Sequence, residues 1–91
     1  MAEVIITLKI MPNSPEIDLS KIEEEAKKKV DAFEGEVGKV EEIPVAFGLK
    51  SLNIIFVMDE QKGSTDKLEE EIEDIEGVQS VEVTDVRRAI G

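Results

Sequence analysis

The side chains that most often carry out catalysis are absent from this chain. It contains no Cys, His, Tyr or Trp, which excludes thiol nucleophiles, histidine bases and zinc sites built on nitrogen and sulfur ligands. Neither a P-loop nor a GxGxxG sequence occurs. The one mixed polar cluster is Thr84-Asp85 followed by Arg87-Arg88. We therefore expect a protein that is not an enzyme and that uses neither a metal nor a cofactor.

Carboxylates are abundant, and they concentrate in residues 69–74, EEEIED. A hard cation such as Ca²⁺ or Mg²⁺ needs several oxygens that converge on one point. Carboxylates that follow one another along a helix point in different directions, so this run is typical of a solvated helix face.

Phe47 is the aromatic residue that the expected elements leave unexplained. Phe33 fits the apolar stripe of a helix and Phe56 fits a buried strand, whereas Phe47 lies between Pro44 and Gly48 in a connection between two strands. Such connections run over the surface. Two interpretations stay open: Phe47 folds back onto the core, or it is an aromatic anchor for a pocket on another protein.

Arg87 and Arg88 near the end of the chain are the only adjacent arginines. One interpretation is that they form surface ion pairs with nearby carboxylates, which carry no function in most proteins. The other is that they form a cationic tail that binds phosphates or acidic groups of a partner.

Composition limits the class of protein further. Asp and Glu number 22 against 11 Lys and Arg, which gives a net charge of −11, and aromatic residues make up 3%. This charge repels phosphate backbones, so direct binding to nucleic acid is not expected. No apolar run approaches the roughly 18 residues that a membrane span needs. The N-terminus is typical of a strand and not of a signal peptide, and the lack of cysteine fits a cytoplasmic protein.

Two periodicities predict the elements that position these residues. Alternation of apolar and polar residues indicates strands at residues 3–11, 36–43, 49–58 and 78–86. Spacings of three and four indicate a helix from Leu19 to Phe33, capped by Asp18 and Gly35. A second helix is expected to begin with a hydroxyl cap at Gly63-Ser64-Thr65 and to end at Gly77. Its apolar stripe comprises Leu68, Ile72 and Ile75.

The order of these elements, βαββαβ, predicts an α+β fold of the ferredoxin-like type in residues 1–91, a single domain. Both helices should cover one face of a four-stranded antiparallel sheet. The first and third strands are the most apolar, which favours a central position for them, and the charged second strand favours an edge. The inward residues are expected to be Val4, Ile6, Leu8, Ile10, Leu52, Ile54 and Phe56.

Three segments resemble a known family, the beta subunit of archaeal translation elongation factor 1. They are residues 4–12 (VIITLKIMP), 44–52 (PVAFGLKSL) and 76–88 (EGVQSVEVTDVRR). The resemblance implies an exchange domain with a ferredoxin-like fold that acts on the GTPase elongation factor 1-alpha, from which it speeds the release of GDP. It also implies that Phe47, in its Phe-Gly context, enters a pocket on the nucleotide domain of the GTPase.

This chain differs from the eukaryotic relatives of that family at one position. Those relatives have a lysine next to the C-terminus that reaches the magnesium site, and aligned on Thr84-Asp85 this position falls at Gly91. Either Arg87 or Arg88 replaces that lysine, or exchange relies on Phe47 alone. The candidate partner-binding residues are Pro44, Ala46, Phe47, Gly48, Thr84, Asp85, Arg87 and Arg88.

Two other functions share the same element order. A regulatory ligand-binding module of the ACT type would need a glycine in the loop after the first strand, and Pro12-Asn13-Ser14-Pro15 has none. An enzyme of the acylphosphatase type would need an arginine in an anion-binding loop, and none occurs there. Both fit the sequence less well than the exchange factor.

Overall fold

The computed structural model describes residues 2–89 and contains four strands and two α-helices. In chain order the elements are β1 (Glu3–Pro12), α1 (Leu19–Ala32), β2 (Glu36–Pro44), β3 (Lys50–Asp59), α2 (Asp66–Glu73) and β4 (Val78–Ala89). The strands form one antiparallel sheet in the order β2-β3-β1-β4. The predicted ferredoxin-like topology is confirmed, with β1 and β3 as the central pair.

The hydrophobic core lies between one face of the sheet and the two helices. The predicted inward residues of β1 and β3 belong to it, and all but the partly buried Val4 are at most 4% exposed. Asn53 lies on the opposite face and is half-buried. The core side chains contributed by the helices are Ile22, Ala26, Val30, Leu68 and Ile72.

Both helices begin with the predicted capping residues, but at α2 the capping hydroxyl belongs to Ser64 and not to Thr65. Asp18 caps α1, since its carboxylate accepts the N–H of Ser20 at 2.9 Å. At α2, Thr65 occupies the cap position but donates its hydroxyl to the Glu69 carboxylate at 2.8 Å. The hydroxyl of Ser64 accepts the N–H of Asp66 instead, at 3.0 Å.

The C-terminus of α1 corrects one prediction. The left-handed residue that ends the helix is Glu34, with φ +67°, and not Gly35. The N–H groups of Glu34 and Gly35 bond the carbonyls of Asp31 and Val30, each at 2.9 Å, which is a Schellman motif. Gly35 is needed for space, because a Cβ there would lie 2.9 Å from Cγ1 of Val30 and 3.0 Å from Cδ2 of Phe56.

The second helix is shorter than its apolar stripe predicted. It ends at Glu73, so Ile75 lies beyond it, although Ile75 still packs against the core. Two tight turns follow, in which the N–H of Ile75 bonds the carbonyl of Ile72 and the N–H of Val78 bonds that of Ile75. Within residues 2–89, no helix is long and apolar enough to cross a membrane.

The edge strand β2 contains a β-bulge at Gly38. Val37 stands opposite Phe56 and Lys39 opposite Ile55, so Gly38 has no partner in the ladder. A bulge restores the alternation of faces after an extra residue. Val37 and Val40 therefore both pack against the core.

Candidate functional site

The tip of the β2–β3 hairpin presents the aromatic residue that the sequence singled out. Pro44 pairs with Lys50 at the end of the two strands, and a tight turn at Ala46–Gly48 joins them. The Phe47 side chain in this turn is 93% exposed. The interpretation in which Phe47 folds back onto the core is therefore wrong.

The backbone of this turn is left-handed at two successive residues. Phe47 has φ +61° and ψ +32°, and Gly48 has φ +75°. The N–H of Leu49 bonds the carbonyl of Ala46 at 3.2 Å, and the N–H of Val45 bonds the carbonyl of Leu49 at 2.8 Å. Positive φ at both central residues is the signature of a type I′ turn, which usually carries Asn-Gly.

A second exposed apolar side chain lies at this end of the hairpin, and sequence reasoning missed it. Ile43 precedes Pro44 in β2 and is 40% exposed. The charged residues of β2 indicate a polar edge strand, and the signal for Ile43 is its position next to the apolar segment Pro44-Val45-Ala46-Phe47. We call this surface the hairpin tip: Ile43, Pro44, Ala46, Phe47 and Gly48.

Thr84 and Asp85 form a second β-bulge, on the other edge strand. Asp85 pairs with Thr7 and Val83 pairs with Leu8, so Thr84 has no partner in the ladder. The Thr84 hydroxyl donates to the Thr7 carbonyl at 3.5 Å. The extra residue keeps Asp85 on the face of the sheet away from the helices, where a charged side chain stays hydrated.

Arg87 and Arg88 belong to β4, which extends three residues beyond its predicted end at Val86. The prediction that they form a tail is therefore wrong. Arg87 donates from Nε to a carboxylate oxygen of Asp85 at 2.9 Å, and Arg88 pairs with Glu60 in the connection after β3. Both arginines are exposed, so these pairs hold them only weakly in water.

The structure separates the candidate residues into two groups. The hairpin tip lies at one end of the sheet, and the residues of β4 run from the middle of that strand, where Asp85 pairs with Thr7, toward its other end. The hairpin tip adjoins the end of β3 where Leu52 pairs with Ile10, whereas Arg88 pairs with Val4 at the other end of β1. Ile10 follows Val4 by six positions, which is about 20 Å of extended strand at ~3.3 Å per residue. We call the second group the β4 end: Thr84, Asp85, Arg87 and Arg88. Gly91, where the eukaryotic lysine would align, lies outside the described residues.

A shallow groove of about 820 Å³ lies between the two helices. Its charged lining is mostly acidic, a composition that repels phosphate groups. No group of three or more carboxylates within residues 2–89 could hold a metal ion. The charged residues of the groove are Glu16, Asp18, Lys21, Glu24, Glu25, Lys29, Glu71, Asp74 and Glu76.

Solved structures share this fold at low sequence identity. The C-terminal domain of the MgtC protein from Mycobacterium tuberculosis superposes with a TM-score of 0.64 at 12% identity, over 97% of this chain and 88% of that one. The ACT domain of GTP pyrophosphokinase from Chlorobium tepidum has a TM-score of 0.59 at 16% identity, over 89% of this chain and 97% of that one. At such identities the likeness concerns the fold alone.

Sequence comparison identifies the family. The family model of the EF-1 guanine nucleotide exchange domain matches residues 5–89. Elongation factor 1-beta of Methanothermobacter thermautotrophicus is 44% identical over 97% of this chain and 98% of its own, and that of Methanosphaera stadtmanae is 47% identical over the same shares. The match decides against the ACT alternative, which the fold alone left open. The chain belongs to the family of elongation factor 1 guanine nucleotide exchange domains, and it is a guanine-nucleotide exchange factor of translation elongation.

Proposed function

We propose that the GTPase on which this factor acts is elongation factor 1-alpha and that the hairpin tip docks into it. The observation that carries the proposal is the 93% exposure of Phe47, a large apolar side chain that the fold does not use. Exposed apolar groups of this kind mark interaction sites when they form a contiguous surface. Ile43, also exposed, lies at the same end of β2.

The chemistry of the hairpin tip suits a pocket on a protein and not a nucleotide. Its side chains offer no charge and no hydrogen-bond donor, so burial of apolar surface is the available source of affinity. A buried aromatic residue is the usual centre of an interface hot spot, and its truncation to alanine costs about 2–4 kcal/mol. Phe47 is the residue of the tip that can supply this amount.

Nucleotide exchange needs no catalytic side chain on the factor. If the factor binds the empty GTPase more tightly than the GDP-bound form, then it must weaken GDP binding by the same ratio. No covalent bond forms or breaks, which supports a role other than that of an enzyme. The acidic groove between the helices also favours a mechanism in which the factor acts through the GTPase and does not hold the nucleotide itself.

The β4 end supplies the second contact of the proposal. Arg87 and Arg88 are cationic, exposed and paired with the factor's own carboxylates. Surface pairs of this kind are worth about 0–1 kcal/mol, so acidic groups on the GTPase could replace them at small cost. A partner that touches both the hairpin tip and the β4 end must extend about 20 Å along the sheet.

The proposed exchange role also implies the extent of the domain, its cellular location and the absence of contact with nucleic acid. Residues 1–91 act as one exchange domain, since the family match already takes in residues 5–89. The factor works in the cytoplasm, where translation takes place. It makes no direct contact with nucleic acid, because its net charge of −11 repels phosphate backbones.

The test is Phe47→Ala, assayed as release of fluorescent GDP from elongation factor 1-alpha of Methanothermobacter thermautotrophicus. We expect the factor concentration for half-maximal stimulation to rise roughly 30- to 1,000-fold, which corresponds to about 2–4 kcal/mol. The melting temperature should stay within about 2 °C, because the exposed ring stabilises nothing in the free protein. Lys28→Ala, on the exposed side of α1, is the control and should match the parent in both measurements.

The opposite result would overturn the proposal. If Phe47→Ala stimulates GDP release as well as the parent does, the hairpin tip is not the docking surface. A large fall in melting temperature with normal exchange would mean that Phe47 stabilises the fold and does not bind the GTPase.

A further inference from the structure

The backbone at Phe47 is strained, and the free protein gains nothing from the strain. Phe47 and Glu34 are the non-glycine residues with positive φ among residues 2–89. Asn is preferred where Phe47 stands, since its short side chain tolerates this conformation. Phe47 is bulkier than Asn and makes no compensating contact, because it is 93% exposed. Strain of this kind is retained mainly where a function requires it.

We propose that Gly48 is a positioning residue, whose left-handed backbone permits the turn that aims Phe47 at the partner. The inference rests on the proposed function, in which Phe47 is the anchor. A Cβ built at Gly48 would meet no atom within 4 Å, so packing does not require glycine there. The backbone conformation requires glycine instead, because Gly48 has φ +75° and other residues adopt this region only at a cost in free energy.

The hydrogen bonds around the turn explain how Gly48 can set the position of Phe47 through the backbone. The carbonyl of Ala46 and the N–H of Leu49 close the turn over Phe47 and Gly48, and the Val45–Leu49 bond joins it to the strands. The turn therefore holds Phe47 in one backbone conformation before binding. Preorganisation of this kind strengthens binding because less freedom is lost when the complex forms.

Gly63 provides a matched control for the experiment. It has the same φ of +75° as Gly48, and a Cβ there would also meet no atom within 4 Å. Its ψ of −124° lies in a region that residues other than glycine rarely adopt, so alanine at Gly63 should lower the melting temperature at least as much as alanine at Gly48. Only Gly48→Ala should raise the factor concentration for half-maximal GDP release, by about tenfold, the population ratio expected for a non-glycine residue at this φ. Gly48→Asn should restore this concentration to within about threefold, because Asn tolerates positive φ.

A double-mutant cycle shows whether Gly48 acts through Phe47. In the Phe47→Ala background, Gly48→Ala should have no further effect on exchange, because the side chain that it positions is gone. Additive effects of the two substitutions would overturn the inference. So would a loss in Gly63→Ala equal to that in Gly48→Ala, since the effect would then come from general destabilisation.

The same series separates the two proposals. Normal exchange by Phe47→Ala would refute the hairpin tip as the docking surface, and the positioning role with it. Impaired exchange by Phe47→Ala together with normal exchange by Gly48→Ala would refute only the positioning role.

Discussion

Substitution of Gly35 by alanine should destabilise the fold, although glycine-to-alanine changes often stabilise proteins. The new Cβ would lie 2.9 Å from Cγ1 of Val30, closer than Cβ atoms approach other atoms in folded proteins, and 3.0 Å from Cδ2 of Phe56, which is a very tight contact. Neither neighbour can move freely. Both are fully buried, and the β-branched Val30 has one strongly preferred rotamer in a helix.

The expected size of the effect follows from two opposing contributions. Overpacking of a well-packed core costs about 1–3 kcal/mol. A glycine-to-alanine change also lowers the entropy of the unfolded chain, which raises the free energy of unfolding by about 0.4–1 kcal/mol. The net loss should be about 1–2 kcal/mol. For a domain of this size, that loss lowers the melting temperature by roughly 5–15 °C.

Gly38→Ala is the matched control for this prediction. A Cβ at Gly38 would approach no atom closer than the carbonyl oxygen of Ile55, at 3.7 Å, which is an ordinary contact. Gly38→Ala should therefore leave the free energy of unfolding unchanged or raise it by up to about 1 kcal/mol. Denaturant unfolding of both variants, with m-values compared to that of the parent, measures the difference. Equal or greater stability of Gly35→Ala would refute the claim that Gly35 is retained for space.

Two further predictions concern β4. The double variant Arg87→Ala/Arg88→Ala should stimulate GDP release less than the parent, by about 3- to 30-fold at low salt, and its activity should depend less on salt concentration. GDP release as fast as with the parent at both low and high salt would show that these arginines are surface charges only. Deletion of Thr84 should change the free energy of unfolding by less than about 1 kcal/mol, because the register on both sides of the bulge is preserved. Deletion of Glu82 should cost about 2–4 kcal/mol, since it would turn Val83 out of the core and place Thr84 opposite Leu8; equal losses in the two deletions, measured by thermal unfolding, would contradict this account of the bulge.

The sequence by itself determined the order of the elements and the faces that they bury. Leu8 and Ile54 could be assigned to the core because alternation along a strand follows directly from the geometry of the backbone. The central position of β3 was also predictable, since Ile55 and Val57 make its second face apolar as well. These signals are local, and each is contained in fewer than about ten residues.

The candidate site was predictable in its residues but not in its arrangement. The Phe47-Gly48 pair stood out because no element accounted for Phe47. The left-handed backbone at Phe47 was not predictable, because the usual signal for a type I′ turn is Asn-Gly. The pairing of Arg88 with Glu60 joins residues 28 positions apart, so no local pattern contains it.

The tertiary structure alone decided what depends on distant segments meeting. Val83 and Val86 lie three residues apart, a spacing that does not indicate a strand. The pairing with β1 explains it, because Thr84 is an extra residue between the Val83–Leu8 and Asp85–Thr7 pairs. The need for glycine at position 35 likewise arises only when β3 places Phe56 beside the end of α1. Register and close approach are properties of two segments together, and for this reason the periodicity of one segment could not reveal them.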